Sequence, residues 1–185
     1  MGDLYLVRHG ATAWSTNGRH TSVTDLPLLP EGEADAVSLA PRLAGHEFAL
    51  VLTSPRQRAV RTATLAGFPD AEVCEDLAEW RYGSLEGLTT PEIRASMPDW
   101  TIWAGPVPGG ESAEQVTERL DRVLARVAAV EGDVLAFSHG HSLRALTARW
   151  LGLPVAEGRL FRLDTATLSV LAHERSAPVV ARWNS

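Results

Sequence analysis

The chain reads as an α/β protein, a three-layer α/β/α sandwich built on a mostly parallel sheet. Strand-like apolar runs alternate with helical stretches along most of its length. The helical stretches carry start signals of their own. Two of the apolar runs, Leu4-Tyr5-Leu6-Val7 and Val134-Leu135-Ala136-Phe137, are continuous, as strands covered on both faces are. The first leads into Arg8-His9-Gly10 and the second into Ser138-His139-Gly140-His141. Ligands of such sheets bind beyond the carboxyl ends of the strands, which is where both His-Gly pairs stand.

The elements follow in order. Asp3–Arg8 is the first strand. Residues 9–29 form a polar loop, and a loop of that length in a compact protein is usually functional. Pro30–Leu43 has helical spacing, with Pro30 at its first position, Pro41 expected to distort its end and Gly45 as a stop. Leu50–Thr53 is a second strand. Ser54-Pro55 opens the next helix, with serine as N-cap and proline at the first helical position. Glu72–Cys74 is a third strand, which makes the single cysteine, Cys74, a core residue.

Leu77–Gly87 is irregular, and Thr90-Pro91-Glu92 caps a short helix. Pro106–Gly110 is a turn-rich link. The capping box Ser112-Ala113-Glu114-Gln115 opens a long helix with Val116, Leu120, Val123, Leu124, Val127 and Val130 on one face. Asp133–Phe137 is a strand and Ser142–Leu151 a helix. Leu160–Asp164 and Leu168–His173 read as an antiparallel hairpin, with Val179–Trp183 as a further edge strand. That edge offers a surface on which two copies would pair.

A length of 185 residues fits one domain, 1–185. Apolar residues make up 45% and charged residues 22%, within the range of soluble globular chains. A net charge of −6 argues against nucleic acid as a partner, which requires a basic face. No apolar stretch approaches the ~20 residues that span a bilayer. The N-terminal segment lacks the pattern of a signal peptide, so a cytoplasmic location is expected.

The chemistry suggested is that of an oxyanion. Arg8 leaves the first strand, while Arg56, Arg58 and Arg61 lie in the first turns of a helix that follows another strand. A helix N-terminus favours anions, and the guanidinium fork matches phosphate oxygens. Spacing puts Arg58 and Arg61 on one face; for Arg56 and Arg61 a solvated basic face is an equal rival. His9 and His139, each followed by a glycine that lets backbone approach a ligand, supply two imidazoles. A metal site on His139 and His141 lacks a third ligand and sits among cations, so no metal is expected. Glu79 lies among apolar and aromatic neighbours. Burial and a bound phosphate would raise its pKa toward that of a general acid; the rival is a carboxylate paired with Arg81.

Together these segments resemble the histidine phosphatase superfamily, which includes the phosphoglycerate mutases. The matching pieces are Leu6-Val7-Arg8-His9-Gly10-Ala11-Thr12, Ser54-Pro55-Arg56-Gln57-Arg58-Ala59 with Thr62-Ala63, Glu79 to Gly87, and Ser138-His139-Gly140. The resemblance implies the phosphoglycerate mutase-like form of the sandwich. It implies His9 as the phosphorylated nucleophile, with Arg8, Arg58 and a protonated His139 completing the phosphate pocket and Glu79 as the acid. It implies no metal and no cofactor.

A narrower branch, with sedoheptulose-1,7-bisphosphatase and small bacterial acid-phosphatase-like proteins, is similar over Gly18 to Leu28, Glu79 to Gly83 and His139 to Arg144. In that company Thr12, Ser15, His20, Thr21, Tyr82, Gly140 and His141 are expected on the substrate side. Loop packing is the rival role for His20 and His141. Mutases carry a lysine and an Arg-Arg pair in the lid, here about residues 88–110. Between Gly87 and Gly109 this chain has Arg94 as its only cation, and Ser15 replaces the usual asparagine. The expectation is therefore a metal-independent phosphomonoesterase acting on small phosphorylated metabolites such as sugar phosphates. The rivals are a mutase-type phosphoryl transferase and a non-catalytic phospho-ligand binding module.

Overall fold

The computed structural model describes residues 2–185. Six strands form one sheet: β1 (Leu4–Arg8), β2 (Phe48–Thr53), β3 (Glu72–Val73), β4 (Asp133–Ser138), β5 (Leu168–Glu174) and β6 (Ala177–Arg182), in the order β3-β2-β4-β1-β5-β6. The β1, β2, β3 and β4 pairings are parallel, whereas β5 is antiparallel to both β1 and β6. The helices are α1 (Ala13–Asn17), α2 (Pro30–Leu43), α3 (Gln57–Leu65), α4 (Thr90–Arg94), α5 (Ala113–Ala128) and α6 (Gly140–Trp150).

Strand alternation sorts the core into two layers. Leu4 and Leu6 of β1, with Val134 and Ala136 of β4, face Val116, Leu120 and Val123 of α5 and Leu143 and Leu146 of α6. Val7, Leu135 and Phe137 point the other way, onto Leu39 and Leu43 of α2 and Ala63 of α3. Continuous apolar runs are what two covered faces require. Leu124, Val130 and Cys74 are half-buried against the first layer.

Four expectations change. First, Ser54 does not cap α3. The helix begins at Gln57 with Arg56 as N-cap, and the Gln57 N–H donates to Asp25 of the long loop (2.9 Å). The Ser54 hydroxyl is taken instead by His139. Second, Leu160–Asp164 is not a strand. Residues Val155–Leu160 form a 3-10 turn, and the hairpin is β5–β6. Both edges of β5 are already occupied by β1 and β6, so no ladder position is left for 160–164. Third, the 9–29 loop contains α1, closed by a capping box between Thr12 and Ser15. Fourth, α2 runs through Pro41 to Leu43, and the left-handed Gly45 follows (φ 83°).

The Glu79 segment is tied down by a buried ion pair. Arg119 Nε donates to Glu111 (2.9 Å), and both side chains are over nine-tenths buried. Glu111 also accepts from the Arg81 N–H, while its carbonyl accepts from the Trp80 indole. Arg119 reaches the Asp76 carbonyl and the Ser142 hydroxyl. Removing one member leaves an uncompensated buried charge, so Glu111→Ala is expected to lower stability by about 3–5 kcal/mol. Urea unfolding checks it; a loss within about 0.5 kcal/mol would mean that the pair is not structural.

Candidate active site

Parallel pairing of β1 with β4 sets Arg8 opposite Ser138, and the His9 N–H donates to the Ser138 carbonyl (3.0 Å). The residues that follow each strand are thereby forced together: the His9 and His139 rings lie 5.1 Å apart, edge to face. Both are buried. The His9 Nδ1 is 2.7 Å from the Gly10 carbonyl, which can only accept. This assigns the proton to Nδ1 and leaves the Nε2 lone pair free. Desolvation, then the charges of Arg58 and Arg8, hold His9 well below the ordinary histidine pKa, so the ring is neutral.

His139 is likewise pushed well below that value by desolvation, Arg58, His9, Arg8 and Arg56. The protonated His139 expected from the resemblance is therefore not the state its protein surroundings favour. Its Nε2 is 2.6 Å from the Ser54 hydroxyl. Its Nδ1 is buried without a partner, as are Nε of Arg8, Arg56 and Arg58. Unpartnered buried polar atoms are uncommon in native proteins and call for an explanation. Here they belong to residues at or just beyond the ends of three adjacent strands, β1, β2 and β4.

Arg58 is completely buried. It donates to the carbonyls of Thr21, Ser22 and Thr24 and stands 3.8 Å from Asp25. Arg61 does not share its environment: it is exposed and pairs with Glu33 (2.7 Å). Arg8 Nη1 donates to the Leu163 carbonyl (2.6 Å), so the 160–164 segment serves this site and not the sheet. The glycines serve neighbours within the protein. A Cβ on Gly10 would strike the Gly32 carbonyl at 2.3 Å, and one on Gly140 would crowd the Arg8 guanidinium at 3.3 Å.

Glu79 is buried and is not paired with Arg81. Its Oε1 accepts from the Trp80 and Ser142 N–H groups, and its Oε2 from the His141 N–H. Two of these donors belong to the first turn of α6, where free N–H groups favour an anionic partner. Oε2 accepts from the single His141 N–H, and Glu79 lines the cavity.

The cavity measures about 270 Å³ and is lined by Arg8, His9, Glu79 and the expected Thr12, Ser15, His20, Thr21, Tyr82, Gly140 and His141. Arg58 and His139 do not line it; they are buried next to His9. Thr12 and Ser15 face the cavity with hydroxyls that already bond each other's backbone. The Tyr82 hydroxyl lies 2.6 Å from His141 Nδ1, and Thr90 lies 3.3 Å from His20 Nε2. Sequence reasoning missed Arg19, Thr90, Arg144 and Leu163 on the wall and Ser54 behind it. It also missed Glu86, which bonds Ser22 and Thr24 and so holds the loop whose carbonyls take Arg58. Arg19, Ser54, Glu86 and Arg144 lie inside the stretches that carry the resemblance, whereas Thr90 and Leu163 lie outside them. Among the described residues, no three His, Cys, Asp or Glu side chains gather where they could hold a metal ion. No helix among them is long and apolar enough to cross a membrane.

Residues 4–185 match the sequence profile of the histidine phosphatase superfamily, branch 1. The chain belongs to that superfamily. An acid phosphatase of Mycobacterium tuberculosis is 46% identical to this histidine phosphatase over 185 residues, covering 96% of this chain and 90% of the relative. The sedoheptulose 1,7-bisphosphatase of Saccharomyces cerevisiae is 36% identical over 183 residues, covering 81% and 68%. The solved structure of a Mycobacterium tuberculosis open reading frame superposes with a TM-score of 0.95 at 44% identity, over 99% of this chain and 97% of that one. Names among the relatives include phosphatases and probable phosphoglycerate mutases.

The buried imidazoles of this histidine phosphatase make its stability fall with acid. His9, His20, His139 and His141 all titrate below the ordinary value near 6.5, each chiefly through desolvation. Above that value both folded and unfolded chains are neutral at these positions. Below it the unfolded chain binds protons that the folded one refuses, so stability drops. Tm is expected to hold near neutral pH and fall between about pH 6.5 and about pH 5.5. Inorganic phosphate should reduce the fall by favouring protonated His139. A Tm that stays level across this window would contradict neutral buried rings.

Proposed function

We propose that the protein is a metal-independent phosphomonoesterase for small phosphorylated metabolites, sugar phosphates among them, working through a phosphohistidine at His9. The observation that carries this reading is the buried His9 whose Nδ1 is fixed on the Gly10 carbonyl, beside the unpartnered Nε atoms of Arg8 and Arg58 and the unpartnered Nδ1 of His139. The relatives named as phosphatases support it.

In the first step the His9 Nε2 lone pair forms a bond to phosphorus as the bond to the leaving alcohol oxygen breaks. A proton on Glu79 Oε2 passes to that oxygen. The charges of Arg8 and Arg58 stabilise the transferring oxygens. The field of the phosphate dianion counters the cations that hold His139 neutral. His139 then takes up a proton from solvent as the phosphate binds, so that Nε2–H donates to the Ser54 hydroxyl and Nδ1–H is available to the phosphate. In the second step Glu79 takes a proton from water, whose oxygen attacks phosphorus as the P–N bond breaks. Phosphate and free His9 result.

Hydrolysis is favoured over transfer by the lid. Its only cation between Gly87 and Gly109, Arg94, donates to the Trp100 carbonyl, and Trp100 and Ile102 are buried in the core layer. The decisive assay is phosphate release from p-nitrophenyl phosphate and sugar phosphates, with and without EDTA. Equal rates are expected with and without the chelator, and a folded wild type inert on all esters would end the phosphatase reading. Isomerisation of 3-phosphoglycerate primed by 2,3-bisphosphoglycerate, faster than hydrolysis, would establish the mutase instead.

A further inference from the structure

We infer that the substrate carries a second anionic group, a phosphate or a carboxylate, and that Arg144 on α6 receives it. This rests on the phosphomonoesterase reading of the same cavity. Arg144 lines the cavity with Arg8 and His9. Its guanidinium lies over the Trp103 ring, 4.7 Å from the centroid. Nε donates to the Gly158 carbonyl (3.1 Å) and Nη2 to the Arg159 carbonyl (3.3 Å). Gly158 also makes room for the ring, since a Cβ there would meet Trp103 at 2.5 Å. The guanidinium is thus held in one orientation by a stack and two carbonyls, while Nη1 has no such bond among the described residues.

Charge distinguishes Arg144 from Arg19 on the wall and from the buried Arg58 next to His9. Arg19 is answered by Glu92 at 3.3 Å. Arg58 has Asp25 at 3.8 Å. Arg144 has no carboxylate at ion-pair distance among the described residues, and it is partly desolvated. The reacting phosphate dianion is met by Arg8 on the wall and by Arg58 buried beside His9. Arg144 stands apart from that pair, without a carboxylate at ion-pair distance among the described residues, and is left for another anion. A guanidinium held in advance loses little freedom on binding, so its contact with an anion is favoured. The neighbouring His141 supports a polar substrate end. Its Nδ1 meets the Tyr82 hydroxyl, which has no other acceptor among the described residues, and this leaves Nε2–H as a donor.

The test compares phosphate release from hexose 6-phosphate, hexose 1,6-bisphosphate and a 6-phosphohexonate by wild type, R144M and R144K. Wild type is expected to favour one of the two bis-anionic esters over the monophosphate by about tenfold or more in kcat/KM. A gain with the bisphosphate identifies the second anion as phosphate, and a gain with the hexonate as carboxylate. R144M should collapse that ratio, chiefly through KM, and R144K should retain part of it. R144Q repeats the measurement if R144M does not fold. A wild type without preference, or a preference that survives R144M or R144Q, overturns the inference. A wild type that hydrolyses p-nitrophenyl phosphate but shows no such preference loses only this inference. A wild type inert on every phosphoester loses the phosphomonoesterase reading itself.

Discussion

Replacing His9 by alanine is expected to reduce hydrolysis of every phosphomonoester by about 10⁴-fold or more, to the background of the assay. The size of the effect follows from what the ring does. Its Nε2 makes the new bond to phosphorus, and no neighbouring group can take over. His139 is buried with its Nε2 on Ser54, and Glu79 is held by three backbone N–H groups. The fold should survive, because His9 closes a strand end without carrying a long-range side-chain hydrogen bond; its ring bonds only the adjacent Gly10 carbonyl. Wild type quenched during turnover should carry an acid-labile phosphate that the variant lacks. Substantial turnover by a folded His9→Ala protein would exclude the phosphohistidine route.

The second large effect belongs to Glu79→Gln, and it should depend on the leaving group. An alkoxide is a poor leaving group without a proton, so hydrolysis of alkyl phosphates is expected to fall by about 10²–10⁴-fold. A nitrophenolate leaves unaided, so the loss on p-nitrophenyl phosphate should be much smaller until dephosphorylation becomes limiting. With its oxygen at the Oε1 position the amide can still accept the Trp80 and Ser142 N–H groups, but its NH₂ then faces the His141 N–H donor. Some loss of stability is therefore expected and should be measured by thermal denaturation. Equal losses on alkyl and aryl esters would assign Glu79 a positioning role rather than that of leaving-group acid.

Much of this was legible before any coordinates. The alternation of elements, the apolar faces and the capping boxes are local, and the strand and helix assignments followed them. Ser54 shows the limit. A serine before a proline reads locally as a cap, yet a buried imidazole 85 residues away competes for its hydroxyl and wins. The same holds for 160–164, whose apolar alternation is strand-like but which finds no free sheet edge. Arg58 and Arg61 look equivalent by spacing, and only the loop folded over Arg58 separates a buried cation from an exposed one.

The sequence by itself determined the fold class, the family and the set Arg8, His9, Arg58, Glu79 and His139, because each is marked by a contiguous motif. Tertiary structure decided how they meet. The β1–β4 register puts the two imidazoles side by side, and burial among arginines makes both neutral. It also decided the far wall of the cavity, where Arg144 stacks on Trp103 and bonds the carbonyls of Gly158 and Arg159. Those partners come from two separate stretches of chain and Arg144 from a third. No spacing rule joins them, because what brings them together is the closing of the core and not the period of any helix or strand.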